Sequence, residues 1–525
     1  MPPLNPRVAE ALAGSFGSAE CADCWILFVR EQPVVGSKRN RSDCEPLAEA
    51  LPAHTYVLRP ASERFAANLR EPWRGRTEEA GGAKQQQQEP SASAAATAGG
   101  GLASGLPVLL VQLNCAEEVP SARAAIKFAY TGQVEPDSSV RELIELYRQG
   151  EYLQARPTEP AFAAIMAKAI ELLVAHFGDA LTTLNTPELR RQLLALPAEA
   201  LMVLLAADCF GTDVEDTVLL MLALWIQENG STMEVEALEL LCRLVRLAQL
   251  SPDFAGAVLP ALACARSVRP EQPGSGGLGW FPIKSKEASF LASCCASATS
   301  APKLQRLMDE AKRKLNLPAK WFSTKPHRQC FLEATSRGKG AAPVGPSEQQ
   351  HPQPATWPWS ISREQLELGL QKLQPGGVMR LECALDNGLS AVSARGYEWR
   401  ATIDYKYGAN AAGLYLCCRL PAAYCLDMAA LGGPLAALAQ VGARLEADRW
   451  RNGAREVAFT YKYGASIFMG VDADGWGIPS ALPLKHGGGG VAADGGGGGG
   501  LLNAWSEYLH DGKITGRLSL LQLST

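Results

Sequence analysis

Residue types able to do chemistry are spread thinly along this chain. Its six histidines never form the His-x-x-x-His or His-x-Glu spacing that holds a metal on one helix face. Cys21 and Cys24 make a lone Cys-x-x-Cys pair, and the further Cys or His ligands of a zinc site do not follow at a usable spacing. A nucleophile elbow and a Walker-type glycine loop are also missing. We therefore predict no catalytic residue, no metal site and no cofactor.

Two charged segments allow alternative interpretations. Asp472-Ala-Asp474-Gly475 resembles the start of a calcium loop, but the later acidic ligands are missing, so a β-turn is favoured. The basic segment from Lys303 to Lys325 could touch an acidic surface or serve in nuclear import. The solvated face of an amphipathic helix is the more common explanation of such a run.

Composition restricts the class of protein. The chain has 525 residues, 47% of them hydrophobic and 20% charged, with a net charge of -4, which is ordinary for a soluble protein of several domains. That charge provides no field suited to nucleic acid as the main partner. The longest apolar run, 218–226, is far shorter than the ~20 residues of a membrane span. We expect no membrane association, free thiols and a cytoplasmic or nuclear location.

Hydrophobic periodicity divides the chain into a helical part and a strand part. Between about 140 and 264 apolar residues recur at helical spacing, as in the stripe of Phe162, Met166, Ala169, Leu173 and Phe177. After Trp357 the period changes to two. Four alternating segments, near 379–385, 397–405, 414–420 and 457–463, predict half-buried strands of an antiparallel sandwich.

The N-terminal part resembles the BTB/POZ family through three motifs in the family's order. The first is a strand, Asp23-Cys-Trp-Ile-Leu-Phe-Val29, and the second is a strand ending at His54 before a Ser-x-x-Phe helix that includes Phe65. The third is a helix ending in Tyr130-Thr-Gly132. The resemblance implies that Asp23, His54, Phe65, Tyr130 and Gly132 are structural residues of the BTB core.

Two further resemblances follow along the chain. Leu196-Pro-Ala-Glu-Ala-Leu201, Leu224-Trp-Ile226 and the segment from Leu241 to Leu247 resemble a BACK domain. Asp386-Asn-Gly-Leu-Ser390 and Trp476-Gly-Ile-Pro479 are similar to the C-terminal β region of green-plant BTB/BACK substrate adaptors.

The predicted fold class is multi-domain, with an α+β BTB/POZ domain, an all-α BACK domain and a mainly-β, sandwich-like C-terminal domain. The predicted bounds are an N-terminal tail (1–20), the BTB/POZ domain (21–155, with a low-complexity insertion at 74–105), the BACK domain (156–266), a flexible linker (267–302), a basic amphipathic helix or linker (303–335), a second flexible linker (336–358) and the β domain (359–525, with a polyglycine loop at 487–500).

The resemblance implies a non-catalytic adaptor. BTB domains of this type usually form homodimers, and many bind a cullin-3 scaffold so that another domain presents a protein substrate for ubiquitin transfer. An alternative is a scaffold for signalling or transcriptional complexes without cullin binding, since the 74–105 insertion falls where a family cullin contact begins. The predicted dimer interface is Trp25, Phe28, Val57 and Leu58, although Trp25 and Phe28 could equally be monomer core, and the predicted cullin surface is Glu142, Leu143, Leu146 and Tyr147.

Overall fold

The computed structural model of the protein forms two compact units, Met1–His176 and Phe177–Thr525. The structure describes residues 6–30, 45–70, 106–132, 140–153, 160–268, 277–297, 317–323, 325–330, 355–426, 435–464, 466–485 and 499–522, together with position 433 and isolated positions between 306 and 314. The predicted insertion at 74–105 lies outside these residues, as does most of the polyglycine loop.

The first unit combines a small mixed sheet with helices. Strand β1 pairs antiparallel with β2 and parallel with β3, which gives the order β2-β1-β3. Its elements are α1 (Pro6–Ser15), β1 (Cys24–Arg30), β2 (Leu51–Ala53), α2 (Thr55–Ala61), α3 (Glu63–Arg70), β3 (Val108–Leu113), α4 (Val119–Thr131), α5 (Val140–Leu153) and α6 (Pro160–Phe177), the last residue of which belongs to the second unit.

The predicted N-terminal tail is partly folded. Residues 6–15 form α1, and Leu12 and Phe16 pack against the apolar core of the first unit. Their spacing of four residues places both on one side of a helix, so that the pair can reach a common core. The Phe16 ring lies edge-on to the Tyr130 ring at 5.5 Å. The prediction of a tail over 1–20 was therefore wrong for this segment.

The second unit begins with a helical layer. Thr186 occupies the N-cap position of α8 without a side-chain capping hydrogen bond, and Pro187 and Pro252 are the first residues of α8 and α12, a position that proline favours. The helices are α7 (Ala180–Asn185), α8 (Pro187–Leu194), α9 (Ala198–Ala206), α10 (Glu215–Asn229), α11 (Val235–Cys242), α12 (Pro252–Val268) and α13 (Ser285–Ala296), and a two-stranded parallel pair joins β4 (Gly211–Thr212) to β5 (Arg328–Gln329).

Two antiparallel sheets of five strands form the C-terminal part, in the orders β16-β11-β10-β7, with β9 also on β10, and β14-β13-β17-β6-β8. The elements are β6 (Ala355–Ser362), α14 (Arg363–Lys372), β7 (Val378–Glu382), β8 (Ala384–Leu385), β9 (Val392–Ala394), β10 (Tyr397–Lys406), β11 (Ala411–Arg419), β12 (Leu438–Gln440), β13 (Ala443–Arg451), β14 (Ala454–Tyr463), β15 (Phe468–Gly470), β16 (Trp476–Pro483), α15 (Gly499–Asn503) and β17 (Lys513–Leu520).

Strand alternation is confirmed for β10 and fails for β14. Every second residue of β10 from Tyr397 to Tyr405 is buried, as predicted. In β14 only Tyr463 of the predicted apolar face is buried, whereas Val457 is 47% exposed. A register shift between Ala447 and Asp448 of β13 interrupts the pairing with β14, and β14 is an edge strand.

The predicted linkers also contain packed structure. Residues 277–297 include buried Trp280 and Phe281 and then α13, so 267–302 is not simply a flexible linker. Within 303–335, Trp321, Phe322 and His327 are buried, because these large side chains pack on the helical layer. The second predicted linker ends earlier than expected, since β6 begins at 355. Among the described helices, none is both long and apolar enough to cross a membrane.

A buried hydrogen bond ties α2 to α4 in the first unit. The backbone N–H of His54 donates to the Tyr130 hydroxyl at 2.9 Å, and burial raises the pKa of Tyr130 to about 12. We predict that Tyr130→Phe lowers the stability of this region by about 1–3 kcal/mol, because the buried N–H of His54 loses its acceptor. Hydrogen exchange of peptides covering 51–61 in the full-length chain measures the loss. Tyr56→Phe, at a 56% exposed residue, is the control; equal effects of the two changes would contradict the prediction.

Candidate functional site

Each of the predicted BTB core residues has a defined position in the first unit. His54, Phe65 and Tyr130 are buried, and Gly132 ends α4 in the left-handed region at φ 65°. The Asp23 carboxylate accepts hydrogen bonds from the backbone N–H of Thr55 at 2.6 Å and from the Thr55 hydroxyl. The His54 ring lies 3.3 Å from the Tyr130 hydroxyl and 3.0 Å from the Glu20 carbonyl oxygen. These contacts are structural.

The four residues of the predicted dimer interface differ in exposure. Phe28 and Leu58 are completely buried and Val57 is 8% exposed, all within the core of the first unit. Their side chains therefore stabilise the single chain and offer little area to a partner. Trp25 is half-buried and is the member of the set that keeps exposed surface.

The predicted cullin surface lies on α5. Glu142 is exposed and Tyr147 is half-buried. Leu146 is 3% exposed and belongs to the apolar core of the first unit. The Leu143 side chain lies outside the described part of the molecule. Within the described part of this set, Glu142 and Tyr147 are thus the residues with exposed surface.

Charged residues buried between the helical layer and the sandwich form the most unusual site in the second unit, and the sequence analysis missed them. Arg395 and Gly396 form the turn between β9 and β10, with φ 54° and 76°. This two-residue hairpin requires positive φ at both positions. A side chain at position 396 would also meet the Phe254 ring at 2.2 Å. The turn holds Arg395 at the boundary between the two layers.

Arg395 connects both layers. Its backbone N–H donates to Thr217 Oγ1 at 2.7 Å and lies 3.3 Å from Asp213 Oδ2, both in the helical layer. Its guanidinium donates to the carbonyl oxygens of Val441, of Gly442 at 3.2 Å and of Leu521 at 2.5 Å. Burial lowers the pKa of Arg395 to about 10, although Asp213 and Asp216 oppose that effect.

A second link forms between Asn185 and β9. The Asn185 side-chain amide donates to the Ser393 carbonyl, and its oxygen accepts from the Ser393 N–H, each at 2.8 Å. This reciprocal pair imitates a backbone ladder, so α7 adds a short polar edge to the strand. Asn387 completes the link by donating to the Asn185 carbonyl oxygen at 2.8 Å.

Hydrogen bonds and ion pairs also connect the segment around Lys325 and His327 to the helical layer. The buried His327 ring places Nδ1 2.7 Å from Glu215 Oε1 and Nε2 3.2 Å from the Leu205 carbonyl oxygen. Arg246, which is buried, donates to Asp208 at 2.7 Å and to the Lys325 carbonyl oxygen at 2.9 Å. Thr212 and Glu215 have the Thr-x-x-Glu spacing of a capping box, but α10 begins at Glu215 and the Glu215 carboxylate binds His327.

Burial or ion pairing characterises several of the side chains that could do chemistry. Burial raises the pKa of Cys24 and of Cys295 to about 12, which suppresses the thiolate that a nucleophile needs. The Asp472–Asp474 segment forms a turn, with Asp474 contacting Arg380 at 3.2 Å. In the part of the chain described, no group of three or more His, Cys, Asp or Glu residues could hold a metal ion.

A comparison with known protein families gives a match to the helical part of the chain. Residues 166–259 match the family model for BACK, "BTB And C-terminal Kelch". The match lies within the predicted bounds of 156–266 and supports a place in the BTB/BACK family. Neither the curated proteins nor the solved structures compared with this chain give a match.

We predict that Arg395→Met lowers the free energy of unfolding by about 3–5 kcal/mol, because buried carbonyl and carboxylate groups lose their cation. Urea unfolding of the full-length chain measures the change. Arg419→Met is the matched control, because the 47% exposed side chain of Arg419 forms a surface ion pair with Glu382 at 2.9 Å. That control should cost about 1 kcal/mol or less. A loss of the same small size in both variants would refute the proposed role of Arg395.

Asp216 should make stability depend on pH. Burial raises its pKa from 3.8 to about 7, despite hydrogen bonds from the Ser251 N–H and hydroxyl, and Asp213 and Glu215 add to the rise. The folded state therefore binds more protons between these values, so stability falls as pH rises from about 4 to about 7. We expect Asp216→Asn to flatten that slope in thermal unfolding, whereas exposed Asp253→Asn keeps it. An unchanged slope in Asp216→Asn would contradict this assignment.

Proposed function

We propose that this protein is a non-catalytic adaptor that forms a homodimer through its N-terminal BTB-like unit and binds a target protein with its C-terminal β domain. Its further role is to recruit that target to a cullin-3-type ubiquitin ligase in the cytoplasm or nucleus. The substrate is a protein rather than nucleic acid or a membrane.

The observation that carries this proposal is the BACK match at 166–259, which follows BTB-like motifs in the sequence and precedes a β domain joined to the same helical layer. The joint is polar and buried, through Arg395, Asn185 and their partners. Such a joint suits an adaptor, because a receptor domain held firmly by its neighbour presents a bound target in a defined position. Two receptors in one dimer would also raise avidity.

The proposed dimer and cullin surfaces include fewer residues than the sequence predicts. Phe28, Val57, Leu58 and Leu146 belong to the core, so Trp25 remains for dimerisation and Glu142 and Tyr147 remain for cullin. A BTB/BACK scaffold without cullin binding is the second candidate function. What favours it is the position of the 74–105 insertion, where the family's cullin contact begins.

The test uses the full-length chain, which has a mass of 56.0 kDa. Size exclusion with light scattering should give twice this mass, and adding the N-terminal domain of cullin-3 should produce a larger complex. A dimer that forms no complex would reject the ligase role and support the scaffold. A monomer that forms no complex would reject both.

A substitution on α5 tests the surface itself. We expect Glu142→Lys to weaken cullin binding by about tenfold, since reversing a charge at an interface costs on the order of 1 kcal/mol or more. Glu171→Lys is the control, because Glu171 is a 68% exposed carboxylate on the neighbouring helix. Equal binding by both variants would show that α5 is not the contact.

A further inference from the structure

A groove in the C-terminal domain lies between α14 and β7. It encloses about 590 Å³, within the range of binding pockets for small ligands or a few side chains. One wall of the groove is a face of α14 that includes Leu368, Gly369 and Lys372. The other wall is formed by residues 377–382. Gly369 permits the close approach, because a Cβ there would lie 2.5 Å from Met379 Sδ.

The groove has an unusual strand edge. Among the described strands, β7 lies at the end of its sheet and pairs with β10 alone. The Tyr407 N–H donates to the Gly377 carbonyl at 3.0 Å and the Cys383 N–H donates to the Ala401 carbonyl at 2.9 Å, which places the odd-numbered residues in the ladder. Because peptide groups alternate along an antiparallel strand, the N–H and C=O groups of Val378, Arg380 and Glu382 point away from β10.

Apolar surface borders this edge. Leu368 is 52% exposed and Val378 is 61% exposed, although both side chains are large and hydrophobic. A row of backbone donors and acceptors beside an apolar groove fits an extended peptide, whose main chain satisfies the edge while alternate side chains enter the groove. A rounded small molecule would leave the edge groups without partners.

The charges of the groove favour an acidic peptide. Arg380 is committed to Asp404 at 2.8 Å and to Asp474 at 3.2 Å, and Glu382 is paired with Arg400 and Arg419. Lys372, exposed at the end of α14, has no ion-pair partner among the described residues. It is therefore the lining cation that remains for a ligand carboxylate.

We infer that this groove binds an extended segment of a target protein as an added strand on β7, with apolar side chains at alternate positions and an acidic residue near Lys372. The inference rests on the proposed receptor role of the β domain and gives that role a site. Main-chain hydrogen bonds to Val378, Arg380 and Glu382 supply affinity, and Leu368 and Lys372 select the sequence.

The probes are fluorescent peptides of about six residues, a common strand length, in which valine alternates with threonine and one end carries glutamate, glutamine or lysine. Fluorescence anisotropy with the full-length protein should show the highest affinity for the glutamate peptide, a lower affinity for the glutamine peptide and the lowest for the lysine peptide. The affinities of the glutamate and lysine peptides should differ by about two- to tenfold. Absence of saturable binding by all three up to about 1 mM would overturn the inference.

Variants locate the site. Val378→Pro removes an edge N–H but no bond to β10, and should weaken binding by about tenfold or more. Val378→Thr keeps the N–H and should bind nearly normally. Lys372→Glu should reverse the preference between the glutamate and lysine peptides. Leu240→Ser, at a 49% exposed leucine on α11, is the control for lost surface hydrophobicity.

Several outcomes would reject the site. If both Val378→Pro and Lys372→Glu bind the peptides as the unmodified protein does, the peptides bind outside the groove between α14 and β7. The unmodified protein could form a dimer that binds no peptide, while the Val378→Pro variant is a monomer. That result would assign the β7 edge to contact with a second copy of the chain. If Val378→Pro fails to fold, the reversal in Lys372→Glu decides. Cullin binding is measured separately, so peptide binding without a cullin complex would reject the ligase role and leave the groove.

Discussion

The second unit depends on charged groups buried where its helices meet its sandwich. A buried ion is tolerated only when partners replace the water it has lost, and Arg395 obtains these partners from several distant segments at once. Its backbone binds α10, while its guanidinium holds the carbonyl groups of 441–442 and of Leu521. Neither layer alone satisfies this residue. The helical layer and the sandwich therefore stabilise each other.

The sequence predicted most of the fold that depends on local pattern. The stripe that includes Ala169, Leu173 and Phe177 forms a helix, and the alternation in β10 marks a strand with one buried face. Both patterns repeat at the period of the element itself, so they can be recognised without knowledge of contacts. The match at 166–259 likewise agrees with the motifs that resembled a BACK domain.

The rest depends on contacts between distant residues. Glu215 has the spacing of a capping residue, but His327 lies 112 positions away and takes its carboxylate. Trp280 and Trp321 stand in segments whose glycines, serines or lysines suggest linkers, yet both are buried, with indole N–H groups donating to the carbonyls of Tyr424 and Cys242. The same limit applies to Phe28 and Leu58: an apolar pattern predicts burial but does not tell a core from an interface.

Strand edges show why the groove beside β7 stands apart. Exposed edges invite unwanted pairing, and proteins commonly block them with proline, charge or short length. Strand β16 contains Pro479 and Pro483, β14 carries several charged residues, and β8 has only two residues. Strand β7 has no proline, and its two charged side chains, Arg380 and Glu382, form ion pairs within the domain. The edge N–H groups of β7 therefore remain along its whole length, which is the feature that the proposed strand addition requires.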